Sequence, residues 1–112
     1  MMYYDFSAGS KEYKLRLNTR NVVELEKKLG CNPIMIFGLE GDQIPTVSTM
    51  VVILHASLQT YHHGVTLNDA YDIFDAYIED EHTSVDFIKV IMEIYKASGI
   101  VPKETETDNE KN

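Results

Sequence analysis

The sequence predicts an α+β fold, with an N-terminal β-hairpin over residues 2–17 and a bundle of about four to five α-helices over residues 19–99. Three observations predict it. Polarity alternates residue by residue as far as Leu17, the period of a strand with one buried face. Beyond Asn18, apolar residues recur at three- and four-residue spacing instead, the period of an amphipathic helix. Most of those helical stretches also carry a capping residue or a proline at the start and a glycine at the end.

In "MYYDF", Met2, Tyr4 and Phe6 alternate with Tyr3 and Asp5; in "EYKLRL", Tyr13, Leu15 and Leu17 alternate with Glu12, Lys14 and Arg16. The intervening "SAGSK" is rich in turn formers, so the two runs read as a hairpin. Two strands alone are marginally stable. One face must therefore lie on helices, or the sheet must gain strands from elsewhere.

"NTRNVVELEKKLG" follows, with Asn18, Thr19 or Asn21 available as cap, the stripe Val22, Leu25 and Leu29, and Gly30 at the C-terminal stop. "CNPIMIFG" places Asn32 as cap and Pro33 at the first helical position, giving a short helical turn that is apolar all round before Gly38. "LEGDQI" is a loop. After Pro45 comes "TVSTMVVILHASLQTYHH", closed by Gly64; its apolar stripe is wide enough to predict a central helix. Thr66 caps the next, with Leu67, Ala70, Tyr71, Phe74, Tyr77 and Ile78 as its stripe. Thr83 or Ser84 starts the last, which carries Phe87, Ile88, Ile91, Ile94 and Tyr95 and stops at Gly99. Residues 1–102 form the single domain expected of a chain this long, and 103–112 read as a polar tail expected to be disordered.

Charge excludes several roles. The net charge is −8, and from Leu29 to Ile88 there is no lysine or arginine among nine carboxylates. Nucleic acid and anionic membranes need neutralising cations, so neither is an expected partner. No apolar run is long enough to span a bilayer, and "MMYYDFSAGSK" lacks the basic and apolar regions of a signal peptide. The one cysteine, Cys31, cannot form an internal disulfide, which fits a reducing compartment.

Residues 60–83, "TYHHGVTLNDAYDIFDAYIEDEHT", hold three histidines and six carboxylates. On a helix, Asp69, Asp72, Asp75 and Glu79 lie opposite the Leu67–Phe74–Ile78 stripe, the arrangement of a solvated face and not of a pKa-raising cleft. They also lack the spacing of a calcium loop. His55 and His62 are seven apart and His62 and His63 adjacent, neither being the four-residue spacing of a helical zinc pair. Cys31 has no nucleophile signature around it, and no glycine pattern would cradle a phosphate. The residues therefore predict no enzyme, no metal and no cofactor. What remains is surface: a hairpin rich in tyrosine whose edges either pack on the domain's own helices or add strands to another chain, and the apolar "IMIF".

The order of these elements, with "YKLRLNTRNVVELEKKLGCNPIMIFG" followed by "IPTVSTMVVILHASLQTYHHGVTLNDAYDIFDAYIEDEHTSVDFIKVIMEIYKASGIV", resembles the tail assembly chaperones of long-tailed phages and prophages of Gram-positive bacteria. The resemblance covers about residues 3–101 and implies a non-enzymatic helper in the host bacterial cytoplasm. It would bind the tape measure protein and the tail tube protein and leave before the virion is complete. The free hairpin edge, read from the residues, adds a second copy of the chain to the expected partners. Tyr4, Phe6, Ile34, Met35 and Phe37 are the residues expected to contribute to client binding or self-association. Two other readings stand beside it: from related tail-gene products of similar layout, a tail completion or connector subunit retained in the virion, and, from the charge, a small acidic regulatory protein.

Overall fold

A computed structural model describes residues 2–103. It has an antiparallel hairpin, β1 (Tyr4–Ala8) and β2 (Lys11–Leu15), followed by α1 (Thr19–Leu29), a 3₁₀ turn (Pro33–Phe37), α2 (Val47–Leu58), α3 (Leu67–Glu79) and α4 (Phe87–Ser98). The expected α+β order is present, with four α-helices and the 3₁₀ turn among the described residues. The expected polar tail lies, from residue 104 on, outside the described residues.

The hairpin is tighter than the five-residue connection expected. Ala8 pairs with Lys11, so Gly9 and Ser10 alone make the turn, both with positive φ (59° and 65°). That is the mirror-image turn whose twist matches the strands. Phe6, Ala8, Leu15 and Leu17 face inward, and the hairpin rests on α2, α3 and α4 without a third strand among the described residues.

Helix starts follow the local chemistry. Asn18, and not Asn21, caps α1 by accepting from the Asn21 N–H. Thr66 and Asp69 form a reciprocal capping box on α3. Thr83 and Asp86 exchange the same pair of bonds, at 2.8 and 3.2 Å, but the chain then makes one 3₁₀-like turn. Regular helix begins only at Phe87.

α2 is the central helix, burying Met50, Val51, Ile53, Leu54, Ala56, Ser57 and Leu58 and touching α1, α3, α4 and β2. It ends at Leu58, short of the run to His63 that the sequence suggests. The cause is competition for polar partners. Thr60 Oγ1 lies 2.9 Å from the Arg16 carbonyl oxygen and 2.7 Å from Asn21 Oδ1, its single proton serving one of the two at a time, and this draws the chain off the helix toward β2. Under the hairpin, Phe6, Phe74, Tyr77 and Phe87 form an aromatic cluster, with Phe6–Tyr77 centroids 5.3 Å apart and Phe74–Phe87 5.1 Å. Burying each such side chain contributes roughly 1.5–3 kcal/mol. Leu67 and Tyr71, placed in the α3 stripe by periodicity, are instead exposed at its margin.

Candidate functional site

The five residues marked as partner-binding do not form one surface. Phe6 is 3% exposed and belongs to the aromatic core; its alternation with Asp5 marks an inward face, not a docking face, and it is withdrawn from the site. Tyr4 is half-buried on β1, its hydroxyl pKa raised by burial and by Glu93 and Asp5, so it stays a protonated donor. Ile34 and Met35 are exposed at 43% and 37%, whereas Phe37 is half-buried with its ring 6.5 Å from that of Tyr95.

The 3₁₀ turn explains why Ile34 and Met35 lie outside while Ile36, between them and Phe37, is buried. With three residues per turn, positions three apart share a face. Pro33 and Ile36 point into the protein, and Ile34 and Met35 are left outside. Asn32 starts the turn, its Oδ1 accepting from the Ile34 N–H at 3.1 Å. Gly38 ends it with an N–H bond to the Met35 carbonyl, and the Gln43 N–H returns to the Phe37 carbonyl at 2.7 Å. The 38–43 loop is thereby folded back on the turn, and Met35 shares a shallow cleft of about 200 Å³ with Leu29, Gln43 and Pro45.

Three further apolar residues are exposed nearby in the sequence: Leu39 at 90%, Ile44 at 61%, and Val47, which its spacing places in the main stripe of α2, at 49%. The signal available was a leucine and an isoleucine in an otherwise polar loop between Gly38 and Pro45. These exposed apolar residues, the shelf, are spread through 34–47 on the 3₁₀ turn, the loop and the first turn of α2.

The polar groups are committed to structure. His62 Nε2 accepts the backbone N–H of Lys14 at 2.9 Å, and burial and then Lys14 hold its pKa below the ordinary value. His55 is likewise lowered, by burial first and Lys28 second. Tyr77, buried beside Asp86, is pushed up to about 12. Asp69, Asp72, Asp75 and Glu79 all lie exposed along α3, and Asp69 is held low first by the Thr66 backbone N–H. Among the described residues no group of three His, Cys, Asp or Glu is placed to hold a metal ion, and no helix is long and apolar enough to cross a membrane. Cys31 is exposed. The arrangement leaves apolar side chains of residues 34–47 exposed.

Residues 5–112 match the model of the family of unknown function DUF6096, and the chain belongs to that family. No curated protein and no solved structure matches the chain.

Proposed function

We propose that this member of the family is a non-enzymatic tail assembly chaperone, acting in the host bacterial cytoplasm on tape measure and tail tube proteins. The observation that carries the reading is the shelf of Ile34, Met35, Leu39, Ile44 and Val47, which stands exposed on a chain of net charge −8. A holding protein needs apolar surface for an aggregation-prone client and charge to stay dissolved while loaded. The resemblance of residues 3–101 to tail assembly chaperones supplies the identity of the clients. Membership of the family is neutral on this point.

The test is co-expression with the tape measure and tube proteins encoded beside this chain. Wild-type chain keeps them soluble and is captured with them. The double variant Ile34→Asp, Met35→Asp keeps its own fold, because both side chains are exposed, and loses the rescue. Rescue that is unchanged in the double variant removes the shelf from the proposal. Recovery of the chain in purified virions, with no effect on client solubility, identifies a tail subunit instead.

A further inference from the structure

Backbone geometry and side-chain packing leave the two edges of the hairpin in different states. Ala8 and Lys11 flank a two-residue turn and form a hydrogen-bonded pair, and bonded and open pairs then alternate along the ladder. Asp5 and Ser7 on β1, with Glu12 and Lys14 on β2, therefore aim their N–H and C=O groups outward. From Lys14 onward the outer edge of β2 is covered. Lys14 donates to His62 Nε2, Arg16 donates to the Ser57 carbonyl at 2.9 Å, and the Arg16 carbonyl accepts from Thr60. On β1, no described residue bonds to the backbone of Asp5 or Ser7.

That open edge faces a groove. α4 passes beside it, and two hollows of about 480 and 810 Å³ lie between strand and helix, meeting at Tyr4 and Asp5. Apolar groups from Tyr4, Tyr77, Val85, Ile88 and Ala97 form much of the lining. The rim carries Lys89 and Lys96, seven apart on one face of α4, and Lys103 beyond its end. These are all the lysines and arginines that the described chain has after Lys28. Three carboxylates also reach the groove, each with a partner nearby. Asp86 accepts from the Thr83 N–H, Glu93 pairs with Lys96 at 3.4 Å, and Asp5 sits opposite Lys14 in the hairpin register. Lys89 and Lys103 form no ion pair among the described residues. Among the described residues, the cations that follow α1 thus gather along the wall of the open strand edge.

We propose that the β1–α4 groove binds an extended segment of another protein by strand addition. Backbone bonds form to Asp5 and Ser7, apolar side chains at alternate positions enter the groove, and acidic side chains between them meet the lysine rim. A second copy of this chain is the poorer occupant. The inward residues of its β1, Phe6 and Ala8, are buried in its own core and cannot fill the groove, and two chains of charge −8 repel. The proposal goes beyond the chaperone reading and does not require it.

The full chain, isotope-labelled, is titrated with a short synthetic peptide alternating valine and glutamate while amide exchange is followed residue by residue. Exchange is expected to slow at Asp5 and Ser7 but not at Lys14, whose N–H is already bonded. Lys89→Glu or Lys103→Glu, at exposed sites with melting unchanged, is expected to weaken binding roughly fivefold each. The same peptide with lysine in place of glutamate is expected not to bind. Absence of protection at Asp5 and Ser7, or equal binding of the lysine peptide, overturns the proposal. So does concentration-dependent protection of these amides without peptide, which assigns the edge to a second copy. Binding that emerges only after residues 104–112 are removed assigns it to the chain itself and overturns it equally.

Discussion

The Tyr95 hydroxyl donates to the carbonyl oxygen of Pro33 at 2.9 Å, joining the last helix to the 3₁₀ turn across 62 residues. Both residues are fully buried, and burial raises the tyrosine pKa, so the hydroxyl remains a donor at any ordinary pH. The bond holds down the inner face of the turn whose outer face presents Ile34 and Met35. Tyr95→Phe leaves the Pro33 carbonyl buried without its donor, which costs about 1–3 kcal/mol. Urea unfolding should show that loss, and amide exchange should quicken at Gly38, whose N–H closes the same turn. A loss below about 0.5 kcal/mol contradicts this assignment.

At the hairpin tip, two neighbouring residues are expected to respond in opposite directions. Gly9 has φ 59°, a Cβ there would stand 3.0 Å from Ala76 Cβ, and its N–H donates to Asp80 Oδ2 at 2.8 Å. Gly9→Ala should therefore cost about 1–3 kcal/mol, from left-handed strain and from lifting the tip off α3. Ser10 has the same left-handed backbone with a Cβ already present (φ 65°). Ser10→Gly should stabilise by about 0.5–1 kcal/mol. Paired thermal melts decide it, and a stabilising Gly9→Ala sinks the account of the turn.

Features set by neighbours in sequence were legible, and those set by distant partners were not. Gly30 as the stop of α1 and Thr66 as the cap of α3 follow from groups within four residues. The end of α2 does not, because Thr60 finds its partners at Arg16 and Asn21, in the hairpin and α1. The same limit governed the site. Alternation shows that Tyr4 and Phe6 share a face, but only the packing of α3 and α4 shows that Phe6 is sealed while Tyr4 borders a groove. "IMIF" is apolar in every direction, and the three-residue period that separates Ile36 from Ile34 and Met35 appears only once the turn is known to be 3₁₀.

That separation has a direct consequence for mutation. Phe6→Ala removes a ring packed on Tyr77 and Phe87 and should cost about 3–5 kcal/mol. Ile34→Ser removes an exposed side chain and should change stability by no more than about 0.5 kcal/mol. Denaturant midpoints for the two variants, taken side by side, test the division between core and shelf. Comparable losses at both positions show that the turn is packed and that the shelf is not a surface.

The bond between Lys14 and His62 makes hairpin stability depend on pH in a direction that can be worked out. A neutral imidazole can accept through Nε2, but an imidazolium carries a proton on both nitrogens and cannot. Tyr13, Tyr61, Lys14, Asp5 and Glu12 face the same hollow, and His62 lies 5.5 Å from the Tyr13 ring, centroid to centroid. Burial, then Lys14, lowers the folded pKa beneath the ordinary 6.5 that the unfolded chain retains. Above 6.5 both states are neutral and stability does not change with this group. Below 6.5 the unfolded chain takes up the proton first, so stability falls until the folded pKa is passed, where the loss levels off. His55 shifts in the same direction and adds to the fall. Asp69 and Asp86, held below the usual 3.8 chiefly by the Thr66 and Thr83 backbone N–H groups, lose their contribution only in a separate and more acidic window. His62→Gln keeps an acceptor at this position but cannot titrate. Urea unfolding between about pH 7.5 and pH 5 should therefore show a shallower fall in the variant than in the wild type, with the remainder due to His55. Parallel curves for the two proteins would mean that the Lys14–His62 bond contributes nothing to stability.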